Sequence, residues 1–219
     1  MRSVFIIVFT AVLQFAATSA SLRGDVIISE IMYNPSSKES FNPDENLVEW
    51  IEIYNSGNSP LDITGWFLQD EDRHTKSLPR NSTIRAGQAI VLVPGGLKPE
   101  IFKKAWGADI VVCALEGWGK VGLHALANSP SEKNEQLTLR NANANVIDAA
   151  NYDDEGDWPK DSPQGVSICV KPTGLNAKAN DNGKNWSRSE LGNLGGKQSK
   201  EAGPFGSKDV GSPGVVVVN

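Results

Sequence analysis

Glu49-Trp50-Ile51-Glu52-Ile53-Tyr54-Asn55-Ser56-Gly57-Asn58-Ser59-Pro60-Leu61-Asp62-Ile63-Thr64-Gly65-Trp66-Phe67-Leu68-Gln69-Asp70 is the stretch that decides how this chain folds. Within it, Ile51 and Ile53 alternate with Trp50, Glu52 and Tyr54. That period-2 spacing puts the two sets on opposite faces of a strand. Residues 55–60 then gather Asn, Ser, Gly and Pro, the residue types that reverse a chain. Leu61-Asp62-Ile63 and residues 65–68 read as strand again. Strand, turn and strand in such quick succession is the rhythm of an all-β sandwich or barrel.

The same pattern extends outward. Residues 25–33, 83–85, 88–93, 110–115, 122–127, 136–140, 146–152 and 166–170 all read as short strands between turn clusters. Counted together, these segments predict about ten short strands. One helix is expected over residues 98–107, where Pro99 stands near the start and Gly107 just past the end. Ile101, Phe102, Ala105 and Trp106 fall on one stripe at helical spacing, so this helix is expected to plug one end of the sandwich. Residues 176–214 change character: Gly, Asn, Lys and Ser dominate, with Trp186, Leu191, Leu194 and Phe205 as larger apolar anchors. They read as an irregular segment that packs on the sandwich or trails from it. Residues 215–218 are a bare Val run, suited to an edge strand or a tag-like end.

Residues 1–20 read as a secretory leader rather than as part of the fold. Arg2 supplies the positive start, residues 4–15 an apolar stretch broken by Thr10 and Gln14, and Ala17-Thr18-Ser19-Ala20 the small residues before a cleavage site. A membrane anchor needs about 18 apolar residues, and this run is shorter. The expected organisation is therefore a leader over 1–20, a sandwich over 21–175 and a C-terminal segment over 176–219. The mature protein is expected to be secreted, extracellular or on the cell surface, with a periplasmic location as the alternative. No transmembrane segment is expected after the leader is removed.

Composition narrows the function classes. The chain of 219 residues carries 21 Lys+Arg against 26 Asp+Glu, a formal net charge of −5. That balance argues against a nucleic-acid binder that works by phosphate neutralisation. Two Cys and two His leave little material for a zinc site or an imidazole relay. Export permits a disulfide between Cys113 and Cys169, both in apolar strand-like runs. Two buried free thiols fit the same positions, because cysteine packs as a small hydrophobe.

These strand and turn motifs resemble the lamin tail domain family. The matching pieces are Ile28-Ser29-Glu30-Ile31-Met32-Tyr33-Asn34-Pro35, residues 49–55 and 61–70, and Ile84-Arg85-Ala86-Gly87-Gln88-Ala89-Ile90-Val91-Leu92-Val93. Residues 102–107 are similar to the short helix that the family places after that last strand, and Gly211-Ser212-Pro213-Gly214 to the end of exported bacterial members. The resemblance covers roughly residues 24–170. It implies an immunoglobulin-like β-sandwich without catalytic residues of its own. In nuclear lamins the domain is a protein-interaction and chromatin-contacting module. Secreted bacterial members stand alone or beside nuclease, esterase or adhesion modules.

The search for chemistry gives few candidates. Glu49 and Glu52, three residues apart on a strand, face opposite ways and cannot form one acid–base pair, whereas Glu30 could approach one of them across strands. Asp70-Glu71-Asp72 and Asp153-Asp154-Glu155-Gly156-Asp157 are oxygen-rich loops that could hold calcium, although neither has EF-hand spacing. Of these, Asp153, Asp154, Glu155 and Asp157 are the calcium candidates. His74 lies in a charged loop and His124 in a strand-like run, and no G-x-S-x-G elbow accompanies them. Six Trp are unusual. Trp50 and Trp66 are expected in the core, whereas Trp118, Trp158 and Trp186 sit in loops where an aromatic ring can stack on a sugar or anchor a partner. The expected function is an exported, non-enzymatic interaction module that binds a protein, matrix or cell-envelope partner. The alternatives are a calcium-dependent polysaccharide binder and a domain associated with a secreted hydrolase or nuclease. No cofactor is expected apart from calcium in the second case.

Overall fold

The computed structural model describes residues 26–37, 47–118, 126, 135–153, 155–160 and 163–218. Apart from residue 126, the expected strand over 122–127 lies outside the described residues, as do His124 and the leader. The strands are β1 (Val26–Met32), β2 (Trp50–Asn55), β3 (Leu61–Asp62), β4 (Phe67–Gln69), β5 (Thr75–Ser77), β6 (Thr83–Ile84) and β7 (Ala89–Pro94). After helix α1 (Pro99–Trp106) come β8 (Val112–Leu115), β9 (Glu135–Arg140), β10 (Val146–Tyr152) and β11 (Ile168–Val170). Three more follow: β12 (Trp186–Arg188), β13 (Lys197–Gln198) and β14 (Val210–Gly211).

One sheet has six strands in the order β12-β11-β1-β2-β7-β8, antiparallel except for the parallel β7–β8 pair. The other has four, in the order β10-β9-β4-β5. Alternation along β2 sorts the core into two layers. Ile51 and Ile53 point between the sheets and pack with Ile28, Ile31, Leu68, Leu137, Leu139 and Tyr152. Trp50 points the other way and packs with Met32, Val91, Val93 and α1 residues Phe102, Ala105 and Trp106. The helix therefore covers the outer face of the larger sheet instead of plugging an end. The physical reason lies in the strands: Met32, Trp50, Val91 and Val93 are apolar residues on the outward face of β1, β2 and β7 and need a lid.

The outer layer is held by aromatic edges. Trp50 meets Phe102 and Trp106 with ring centroids 5.9 and 5.8 Å apart, and Phe102 meets Phe205 at 5.6 Å. Phe102→Ala is expected to destabilise the fold by about 3–5 kcal/mol, because a cavity opens where three rings converge. Urea unfolding measures this, and a change below about 1 kcal/mol would mean the helix is not part of the core.

The turn after β2 forms as its residues dictate. The Asn55 side chain accepts from Gly57 N at 2.9 Å and donates to the Ser59 carbonyl at 2.9 Å. Gly87 adopts φ +67°, a conformation open to glycine, and its N–H donates to the Asn55 carbonyl at 2.9 Å.

The C-terminal segment is more ordered than its composition suggests. β12 pairs with β11, β13 pairs with β14, and Trp186 and Phe205 are buried in the two core layers. Its pairing is carried by the backbones of Gly-, Ser- and Lys-rich stretches, which show no apolar alternation.

The two cysteines do not pair. Both are free. Cys169 is on β11 and Cys113 on β8, with β1, β2 and β7 between them in one sheet. Strands about 4.8 Å apart put them roughly 19 Å from each other, far beyond the ~7 Å Cα reach of a disulfide. Burial pushes both thiols up to about 11, so they are packing groups rather than nucleophiles.

Candidate functional site

The loop after β10 and the turn before β12 meet at one end of the sandwich. Between them lies a surface depression of about 600 Å³, lined by Asp153, Glu155, Asp157, Trp158, Asp181 and Asn182 together with Gly156 and Gly183. Three of the four acidic candidates are thus brought to one place, while Asp154 lies outside the described residues. The structure adds Asp181 and Asn182, about two dozen residues further along the chain in the turn-like run Asn180-Asp181-Asn182-Gly183. Asx bonds shape both walls: Glu155 N donates to Asp153 Oδ1 at 3.2 Å and Lys184 N to Asn182 Oδ1 at 3.0 Å. Lys184 Nζ lies 3.5 Å from Asp157 Oδ2 at the exposed rim. Partial burial pushes the Asp181 carboxyl up. Among the described residues, no three His, Cys, Asp or Glu side chains converge as metal ligands.

The three loop tryptophans separate. Trp118 is 1% exposed and Trp186 is 2% exposed, so neither offers a ring face to a ligand. Both are core walls, and the Trp186 indole N–H donates to the Asn180 carbonyl at 2.7 Å. Trp158 is half-buried and lines the depression, backed by Trp186 at 5.5 Å between ring centroids. Of the predicted stacking platforms, Trp158 is the one left at the surface. Trp66 is likewise only partly buried against the inter-sheet core, unlike Trp50.

The other acidic loop is spent on its own turn. Asp70 Oδ1 accepts from His74 N at 2.7 Å, and Asp70 Oδ2 lies 2.9 Å from His74 Nδ1, closing the β4–β5 hairpin.

Two polar clusters lie inside the molecule, and the first is the cross-strand approach expected of Glu30. Glu30 and Glu52 are direct cross-strand partners on β1 and β2, both essentially fully buried. Glu30 Oε1 accepts from Ser167 Oγ (2.5 Å), Ser189 Oγ (3.2 Å) and Ser212 N (2.7 Å), and Oε2 from Ser212 Oγ (2.7 Å). Glu52 Oε1 accepts from Ser29 Oγ at 2.8 Å and Oε2 from Gly214 N at 2.6 Å. Burial pushes both carboxyls up, Glu52 to about 8 with the Glu30 charge adding to the effect. With four donors against two, Glu30 is the member suited to hold the negative charge.

The second cluster repairs a bulge. The register of β1 against β2 shifts between Ile28 and Glu30, so Ile28 and Ile31 both face the inter-sheet core. The backbone of Ile28 finds its partners elsewhere: its N–H donates to Asp148 Oδ2 at 2.7 Å, and its carbonyl accepts from Asn180 Nδ2 at 3.2 Å. Asn180 Nδ2 also donates to Asp148 Oδ2 at 2.7 Å. Burial pushes the Asp148 carboxyl up to about 7.

A family model described as Lamin Tail Domain matches residues 19–154. The chain belongs to the lamin tail domain family. The match spans well over half of the chain and covers β1 to β10 with the helix, so the immunoglobulin-like, all-β architecture follows from it. In this lamin tail domain β11, β12 and the serines that hold Glu30 lie beyond the matched span. No curated protein matches the chain significantly. Among the described residues, no helix is long and apolar enough to cross a membrane.

Proposed function

We propose that this lamin tail domain is an exported, non-enzymatic interaction module that binds a polyhydroxylated matrix or cell-envelope polymer at the Trp158 depression. One observation carries the reading: a surface aromatic is set among several carboxylates and an amide in one concavity. An indole face stacks on the apolar side of a sugar ring, and carboxylates accept from its hydroxyls. The Trp158–Trp186 contact holds the platform rigid, which lowers the ordering cost of binding. Export rests on the leader pattern of residues 1–20.

Affinity electrophoresis against a panel of soluble polysaccharides tests it. Retention by at least one polymer is expected, weakened about tenfold or more by Trp158→Ala and by Asp157→Asn. Retention equal in the wild type and both variants, or none across the panel, would overturn the assignment. Thermal unfolding with millimolar calcium and with EDTA decides the metal question alongside. A calcium-dependent rise that Asp153→Ala removes would make the module calcium-gated.

A further inference from the structure

We propose that residues 212–217 form a proton-controlled strap, closed over the Glu30–Glu52 pair while the pair holds a proton and lifted when both carboxyls are ionised.

The geometry sets the device. Two carboxyls stand side by side on neighbouring strands, away from water. Of the six hydrogen-bond donors that reach them, Ser212 N, Ser212 Oγ and Gly214 N come from the strap itself. The others, Ser29, Ser167 and Ser189, belong to the sheet and the segment beside it. The titratable groups facing the pair are Cys169 on β11 and Lys197 on β13. The thiol stays neutral through the relevant range because burial pushes it up to about 11. Lys197 is itself pushed down by burial, and its Nζ donates to the Pro213 carbonyl at 3.1 Å, within the strap. A second negative charge therefore meets one cation that is already engaged. Like charges that close cannot both ionise in a dry site without a large penalty.

Lifting the strap admits water to the pair. Ser212 and Pro213 are buried at its root, whereas Val215 and Val217 are 42% and 37% exposed, so the outer part of the strap loses few apolar contacts when it moves. A covered Glu52 titrating near 8, against 4.5 for a solvated glutamate, links the two states. Between those values each pH unit favours the open form by up to tenfold, on the order of a thousandfold in all. The sign follows: the proton is bound more tightly when the strap is closed, so acid closes it and alkali opens it.

Hydrogen exchange read by NMR tests this on the full chain. Protection of the Ser212 and Gly214 amides, corrected for intrinsic rates, is expected to fall at least tenfold from pH 5 to pH 9. The β2 ladder amides are expected to keep theirs over the same range. Glu52→Gln keeps the shape without the charge, and both strap amides are then expected to stay protected throughout. Constant protection in the wild type, or a Gln variant that loses protection like the wild type, would overturn the proposal. If that variant does not fold, the wild type alone decides: the side-chain carboxyl carbon shift of Glu52 and the loss of strap-amide protection are expected to change together with pH, and a Glu52 titration that leaves strap protection unchanged would overturn the proposal.

Discussion

A chain ending at Leu175 is expected to lose the cooperative unfolding of the full protein, although residue 175 is where the sequence changes character and a domain boundary would be drawn. Four losses coincide. Trp186 leaves the inter-sheet core, where it is 2% exposed. A truncation of that size at a buried Trp costs about 3–5 kcal/mol by itself. β12 no longer covers the edge of β11, and Phe205 no longer packs on Phe102 and Trp106. Asn180, Ser189 and Ser212 also leave, which strands the Ile28 carbonyl and takes three of the four donors from the Glu30 carboxylate. A buried charge stripped of partners costs several kcal/mol more. Domains of this size hold about 5–15 kcal/mol in total, so the sum exhausts it. Circular dichroism through a thermal ramp measures the outcome. A truncated chain that melts cooperatively within a few degrees of the full one would refute this account of the C-terminal segment.

Asp148 gives the second large effect, read in the pH dependence of stability. Burial disfavours the charge and pushes its carboxyl up from the ordinary aspartate value to about 7 in the folded state. The folded protein thus binds the proton more tightly than the unfolded chain between pH values near 3.8 and 7. Its contribution is complete below the lower value and lost as pH rises to the upper one, on the order of 4 kcal/mol in all. Asp148 Oδ1 and Asn180 Oδ1 are both buried acceptors without a hydrogen bond among the described residues, so a carboxyl proton supplies the donor that this site lacks. Asp148→Asn supplies one permanently. Denaturant midpoints from pH 4 to pH 8 are expected to show the variant gaining on the wild type as pH rises. Parallel profiles for the two proteins would show that Asp148 is not the group responsible.

These two results depend on residues that the sequence makes visible in unequal degree. Glu30 and Glu52 are both seen as carboxylates on strand-like runs, and an approach across strands is within reach of period-2 reasoning. Their serine partners are not, since Ser167, Ser189 and Ser212 come from segments whose pairing no local pattern encodes. Asp148 sits in a run that reads as strand, yet its task depends on a bulge in β1, and Asn180 reads as an ordinary turn residue. The acidic loop at 153–157 is legible as a loop. Its companion wall of Asp181 and Asn182 is not, because turn chemistry says how a chain reverses and nothing about what it reverses against. Trp118, Trp158 and Trp186 look alike in sequence, each in a Gly-, Pro- or Asn-rich neighbourhood. Burial separates them, and burial is a property of what packs on top.

The sequence by itself determined the all-β class, the turn between β2 and β3, the single helix with its apolar stripe and the family, since all of these follow from alternation, glycine placement and local motifs. The tertiary structure alone decided that the helix roofs the outer sheet face, that the cysteines stay apart, that Trp158 remains at the surface and that the last forty residues complete the core. Those are facts about contacts between segments far apart in the chain, made by backbone groups and small polar side chains that leave no periodic trace.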